Sequence, residues 1–315
     1  MMAADQISKD LVSRLPIVRG SYVSNVPLYK VTWLKVGGPA EVMFRPEDVN
    51  DLKAFLFARP RDVPVTIIGV GSNLLVRDGG VPGVVVRLGK EFAFIKNVNQ
   101  FLKVGAGALD INVARVAEQA GLGGLEFLTG IPGTVGGGIR MNGGAYGSEF
   151  KDVFVSARAV DNHGEIHELT AEDMGFDYRK TIIREDWLFI DAVLKGDYEA
   201  KSIISQRMDK IKATREKSQP VRTPTGGSTF ANPSDAKAWE LIDAAGCRGL
   251  VRGDAMVSEK HCNFLINKGN ATAADLEGLG EDVRRRVFKK SGITLEWEIR
   301  RIGVPLQSLI EEGRQ

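Results

Sequence analysis

The 315-residue sequence predicts an α+β protein of more than one domain. Short apolar runs bounded by turn residues alternate with amphipathic helical patterns, glycine crowds into one region, and the chain changes character near residue 200. A content of 43% apolar and 26% charged residues is ordinary for a soluble globular chain. The balance of 42 basic against 40 acidic residues argues against a nucleic-acid binder, so any bound anion is expected to be held locally.

The first helical pattern covers residues 46–58, with Val49, Leu52, Phe55 and Leu56 on one face. Buried strands are predicted at "VPVTIIG", "GVVVRLG" and "FLKVGAG". A second helix follows an expected N-cap at Asp110, carries Val113, Val116 and Ala120, and stops at Gly121. Residues 121–147 hold 11 of the 36 glycines, interleaved with apolar and aromatic residues, unlike a flexible linker. Strands return at "VFVSARAV" and "WLFIDAVL", with a turn over residues 162–164.

Residues 201–217 predict a helix with Ile203, Ile204, Met208 and Ile211 inward and Lys210, Lys212, Arg215 and Lys217 toward solvent. Another follows Pro233, carrying Trp239, Leu241 and Ile242 and stopping at Gly246. A third opens at Thr272 with Asp275 three residues on, runs through Leu276, Leu279, Val283 and Val287, and ends near Gly292. The alternation in "ITLEWEIRR" predicts a strand with Ile293, Leu295, Trp297 and Ile299 on one face and Thr294, Glu296, Glu298 and Arg300 on the other. The second face is either a charged outer surface or a pair, Glu298 and Arg300, turned into a cleft.

Three glycine-rich turns follow apolar runs. The first, "TIIGVGSNLLVRDGG", offers Gly69, Val70, Gly71, Ser72 and Asn73 as a backbone nest suited to a pyrophosphate. Leu74 stands where a GxGxxG fingerprint needs its third glycine, and no GxxxxGK[ST] occurs. With Gly105 and Ala106 of "GAGA", and Gly130, Ile131, Pro132, Gly133, Thr134, Gly136 and Gly137 of "GIPGTVGGG", the set suggests backbone wrapped around an extended ligand.

In "RTPTGGSTFANP", Ser228 follows a Gly-Gly pair. It is no nucleophile elbow, because Phe230 occupies the place of the second glycine and His163, His167 and His261 lie in other segments. Chemistry at Ser228 would be giving or taking a proton. The two cysteines, Cys247 and Cys262, form no CxxC pair and no metal-spaced cluster, so small buried thiols in a reducing compartment and no metal are expected. The N-terminal "MMAADQISKD" lacks the apolar core of a signal peptide and no run reaches membrane-spanning length, so a cytoplasmic protein without membrane insertion is expected.

The ordered set "VGGPAE", "GVGSNLLVRDGG", "TGIPGTVGGGIRMNGGAYG", "DYRKT", "GGSTFANP", "SEKHCNFLIN" and "LEWEIRRIG" resembles the UDP-N-acetylenolpyruvoylglucosamine reductase family over roughly residues 24–303. The glycine segments alone resemble the wider group of flavoproteins that share its cofactor-binding fold. The resemblance implies a two-part FAD-binding fold of the vanillyl-alcohol-oxidase/p-cresol-methylhydroxylase type, over residues 1–88 and 89–200, plus a C-terminal α+β substrate-binding domain over residues 201–292. Residues 293–303 would return to the first part. It also implies noncovalent FAD, NADPH as reductant, and a monomer that turns a UDP-sugar enolpyruvate into UDP-N-acetylmuramate for peptidoglycan synthesis, cell-wall biogenesis, cell shape and division.

By motif position the resemblance assigns catalysis to Arg179 of "YRKT", Ser228 and Glu298, with Ser228 protonating one alkene carbon. Tyr178, Lys217, Asn232 and Arg300 fall where the family holds the substrate carboxylate or diphosphate. Threonine replaces the more usual serine in "YRKT", and Ala231 stands where lysine or arginine is common; neither change removes a group assigned to chemistry. No insertion follows Tyr178, which fits the subtype lacking an extra capping tyrosine. A flavin-dependent sugar or alcohol oxidase of the same fold is the alternative, although residues 1–162 contain no histidine or cysteine to tether a flavin. A flavin- or nucleotide-binding module without catalysis would have no use for Arg179, Ser228 and Glu298 together.

Overall fold

The computed structural model describes residues 10–306. The chain forms two compact units by interleaving its segments. One takes residues up to Asn25 with Val42–Gly69 and Gly83–Thr214; the other takes Val26–Glu41, Val70–Pro82 and the chain from Arg215 onward.

The first unit has two apolar cores. In one, the helix Val49–Ala58 buries Leu52, Phe55 and Leu56, and Phe44 meets Phe55 at a ring-centroid distance of 4.5 Å. The helix starts where its sequence allows: the Asp48 carboxylate accepts from the Asp51 N–H at 2.9 Å. Asp51 itself is buried and accepts from the N–H groups of Arg19, Gly20 and Glu47. Beside the helix, Val65–Ile68 and Val81–Arg87 pair in parallel, and their runs of Val and Ile suit strands with little face left for water.

The other core lies against an antiparallel sheet ordered Ile166–Thr170, Phe154–Val160, Leu188–Lys195, Phe101–Gly105 and Ile95–Val98. The helix Asp110–Ala120 presents Val113, Ala114 and Ala117 to it and closes at Gly121, whose φ of 67° belongs to the left-handed region that glycine tolerates best. The expected N-cap at Asp110 is one residue late. Leu109 holds the cap position because it bridges to Thr134, and the Asp110 N–H is already bonded to the Gly133 carbonyl at 3.2 Å.

Asp110 is therefore the first helical residue, fully buried, and neither carboxylate oxygen is hydrogen-bonded among the described residues. Burial pushes its pKa well above the usual carboxylate range. A group protonated more readily in the folded state stabilises the fold below its unfolded pKa and loses that contribution as pH rises through its folded pKa. Asp110→Asn should thus become more stable than the parent as pH rises above the unfolded value, at about 1.4 kcal/mol per pH unit until the folded pKa is passed. Parallel pH profiles in urea unfolding of the two proteins would contradict this.

The second unit carries an antiparallel sheet ordered Thr225–Ser228, Phe264–Asn267, Ala255–Val257 and Val251–Arg252, covered by the helices Ala238–Ala244 and Ala273–Ser291. The longer helix begins with the predicted Thr272–Asp275 capping box and ends at Gly292 with φ 73°. Asp78 adds its two oxygens to the N–H groups of Ala273 and Ala274, each at 2.9 Å. Cys247 and Cys262 are both buried free thiols of this core.

Two further expectations need correction. Ile203 is 41% exposed because the buried stripe of its helix is the narrower set Ile204, Met208 and Ile211. The strand expected at residues 293–301 is regular only at Arg300–Ile302, which pairs in parallel with Leu74–Val76. Leu295 and Ile299 are buried as the alternation predicts, but the backbone between them bonds to residues 229–231 instead of a long ladder.

Candidate active site

In the first unit Gly69, which opens the first glycine turn, and the other two glycine turns come together. A Cβ on Gly69 would lie 2.7 Å from the Thr134 hydroxyl, so the first and third turns touch. The second and third are joined by Val135 N–H to Ala108 carbonyl and Gly136 N–H to Ala106 carbonyl, both 2.9 Å, and a Cβ on Gly136 would sit 3.0 Å from that of Ala106. Side chains there would fill space that the sequence keeps for backbone. The buried Thr129 hydroxyl beside this loop has no hydrogen-bond partner among the described residues.

Arg179 is presented by a tight turn in which Asp177 and Lys180 bridge. Its φ of 56° is a left-handed conformation that costs a non-glycine residue about 1–3 kcal/mol. Its guanidinium is held by the Gly144 carbonyl at 2.9 Å and stands 5.1 Å from the Tyr178 ring centroid. Asn142 anchors the turn: fully buried, it donates to the Asp177 carbonyl at 3.1 Å and accepts from the Lys151 N–H at 3.0 Å. Sequence reasoning passed over Asn142, although the Asn-Gly step in "RMNGGAYG" marks a residue suited to positive φ, and its φ is 44°.

The second unit brings Asn73, Ser228, Glu298 and Arg300 onto adjoining backbone. The Glu298 and Ile299 N–H groups both donate to the Thr229 carbonyl, at 2.9 and 3.3 Å, so Glu298 lies one hydrogen bond from the residue after Ser228. The Asn73 side chain donates to the Glu298 carbonyl at 3.1 Å, and the Arg300 N–H donates to the Asn73 carbonyl at 3.1 Å. The Gly-Gly pair before Ser228 has two separate reasons. A Cβ on Gly226 would lie 2.9 Å from Ile299 Cδ1, whereas Gly227 needs only its φ of 82°. Ser228 and Glu298 are half-buried and Arg300 is exposed.

Gly71 is restricted by the protein itself: its φ is 68°, and a Cβ would lie 2.8 Å from the Val31 carbonyl oxygen. Gly71→Val should therefore cost more than about 1 kcal/mol of stability. An unchanged melting temperature in the variant would contradict this. Among the remaining residues, Lys217 is exposed, and the Asn232 side chain accepts from the Ala238 N–H at 2.9 Å, serving the start of a helix.

This fold and glycine architecture define a flavin-binding oxidoreductase: residues 40–170 match the family model described as an FAD binding domain. Residues 219–302 match the model described as the C-terminal domain of UDP-N-acetylenolpyruvoylglucosamine reductase. The chain is 58% identical over 313 residues to the UDP-N-acetylenolpyruvoylglucosamine reductase of Rhodospirillum rubrum, covering 98% of each chain. It is 59% identical over 290 residues to that of Paramagnetospirillum magneticum, covering 92% of this chain and 94% of the relative. The crystal structure of the Thermus caldophilus enzyme of that name aligns with a TM-score of 0.78 at 36% identity, covering 91% of this chain and all of the other.

The chain belongs to the UDP-N-acetylenolpyruvoylglucosamine reductase family. It is an FAD-containing oxidoreductase of peptidoglycan precursor synthesis that uses NADPH, and the oxidase alternative is not favoured. The converged turns and the unpartnered Thr129 hydroxyl fit such a dinucleotide.

Proposed function

We propose that Arg179, Ser228 and Glu298 carry the reduction of the enolpyruvyl group, and that Gly69–Asn73, Gly105–Ala106, Gly130–Thr134, Gly136 and Gly137 hold FAD. The observation that supports this most is the Thr229 carbonyl, which ties Glu298 to the segment of Ser228 while Asn73 holds the Glu298 carbonyl. Bound FAD supplies the hydride that NADPH delivers to it. Hydride arrival at one alkene carbon leaves negative charge spread toward the substrate carboxylate. The Arg179 guanidinium and the Glu298 carboxyl, acting protonated or sharing a proton, stabilise that charge. The Ser228 hydroxyl gives its proton to the other alkene carbon, which completes the lactyl ether. Its competence comes from the strongly basic acceptor.

Tyr178, Lys217, Asn232 and Arg300 are proposed to orient the substrate carboxylate and diphosphate. In this reading residues 1–88 with 293–303, and residues 89–200, serve the dinucleotide, and residues 201–292 serve the substrate. We further propose a cytoplasmic monomer on whose product cell shape and division depend; among the described residues no helix is long and apolar enough to cross a membrane. The direct test is anaerobic. After NADPH has bleached the bound flavin, UDP-N-acetylglucosamine enolpyruvate should restore its colour, and a flavin that stays reduced would refute the reading.

A further inference from the structure

Asn263 immediately precedes the strand Phe264–Asn267 and is 4% exposed. Its side-chain oxygen accepts from the Phe230 N–H at 3.0 Å, and its side-chain nitrogen donates to the Phe230 carbonyl at 2.8 Å. Its main-chain carbonyl accepts from the Thr229 N–H at 2.7 Å. A side-chain amide, planar with a donor and an acceptor, here makes the pair of bonds that a facing strand residue would make to Phe230.

The stand-in is needed because the ladder ends there. Thr225 pairs with Ile266 and Ser228 with Phe264, with a register shift between them. Before Phe264 the chain turns away, the Phe264 N–H bonding to the His261 carbonyl at 3.0 Å. On its other edge the segment meets residues 296–299: Thr229 accepts from Glu298 and Ile299, Phe230 bridges to Trp297, and the Ala231 N–H donates to the Glu296 carbonyl at 2.9 Å. The backbone after Ser228 is therefore bonded on both edges, and at Phe230 one edge is the Asn263 side chain alone.

We propose that Asn263 is a positioning residue for the protonation step: through Thr229 and Phe230 it fixes Ser228 and the neighbouring Glu298 relative to each other. This rests on the roles proposed above for those two residues. Asparagine suits the place because alanine would leave the buried Phe230 N–H and carbonyl unpaired. An ionised aspartate would keep the acceptor but set negative charge against the Phe230 carbonyl. Protonated aspartic acid would restore the donor.

The test is stopped-flow on flavin-loaded enzyme, with melting curves, comparing Asn263→Ala, Asn263→Asp, Ser228→Ala and the double alanine variant. Asn263→Ala should slow reoxidation by saturating UDP-N-acetylglucosamine enolpyruvate by roughly tenfold or more, as misplacement of a catalytic group does, and leave reduction by NADPH within about twofold. In the Ser228→Ala background the same change should cost less than about threefold, because the group it positions is gone. Asn263→Asp should recover rate relative to wild type as pH falls, and Asn263→Ala should not. Reoxidation of Asn263→Ala within twofold of wild type, equal losses in both half-reactions, or additive losses in the double variant would overturn the proposal. If Asn263→Ala does not fold, Asn263→Asp decides: acid recovery supports the proposal, and a pH-independent or wild-type rate overturns it. Normal reoxidation by Ser228→Ala would remove the site assignment and this inference with it, whereas slow Ser228→Ala beside normal Asn263→Ala removes this inference alone.

Discussion

Ser228→Ala is expected to retain FAD and accept hydride from NADPH at an ordinary rate, yet to pass reducing equivalents to the enolpyruvyl substrate roughly 10²–10⁴-fold more slowly, the loss typical of a missing general acid. The structure makes this a clean substitution. Ser228 lies at the end of the strand Thr225–Ser228, half-buried, and the fold-defining bonds nearby belong to main-chain atoms of Thr229 and to Asn263. The melting temperature should therefore change little. Ser228→Cys should restore part of the rate, since a thiol is more acidic than a hydroxyl. A nucleophile would instead leave a covalent adduct visible by intact mass during turnover. Near-wild-type reoxidation in the alanine variant would end the proton-donor assignment.

Glu298→Gln should show the same division between half-reactions by a different route. Glutamine keeps the size of the side chain and the main-chain bonds to Thr229 and Asn73, so the segment should hold its place. What it loses is the acidic proton offered to charge developing at the substrate carboxylate. Losing one such donor costs about 10²–10³-fold. Stopped-flow traces should show flavin reduction by NADPH nearly intact and reoxidation slowed to that degree. Equal slowing of both phases would move Glu298 from the substrate to the flavin.

Features announced by local chemistry were legible in the sequence. The Thr272–Asp275 capping box, the stops at Gly121 and Gly292, and the strands rich in Val and Ile all appear where they were read. These signals act within a few residues, so one segment contains them. The segment at residues 293–299 misled because alternation reports which side chains are buried, as for Leu295 and Ile299, and is silent on where the backbone finds its hydrogen bonds. Asp110 has the composition of a cap, yet the bridge between Leu109 and Thr134 moved the helix start.

The site was legible as separate motifs and hidden as an arrangement. Nothing in "GVGSNLL" or "LEWEIRR" says that Asn73 will hold the carbonyl of Glu298, and nothing in "KHCNFLIN" marks Asn263 as the partner of Phe230. Such bonds join residues far apart in sequence and use side chains that could equally serve a surface turn.

The parallel pairing of Leu74–Val76 with Arg300–Ile302 also sets a timetable for biosynthesis. Asn73 and Glu298 are 225 positions apart, and the Arg77 and Gly79 N–H groups find their acceptors at Ile302 and Val304. At ribosomal speeds of about 5–20 residues per second, the earlier segment waits on the order of 10–45 s for its partners. Throughout that interval the unpaired edge of Leu74–Val76 is open to wrong pairing, a hazard that chaperones exist to contain. Helices such as Asp110–Ala120 can form while the chain is still emerging, but the turn at Gly69–Asn73 gains its last fixed neighbour only once residues 298–302 have been made. On the assignment proposed above, the seat of the flavin at this turn is complete only after that step.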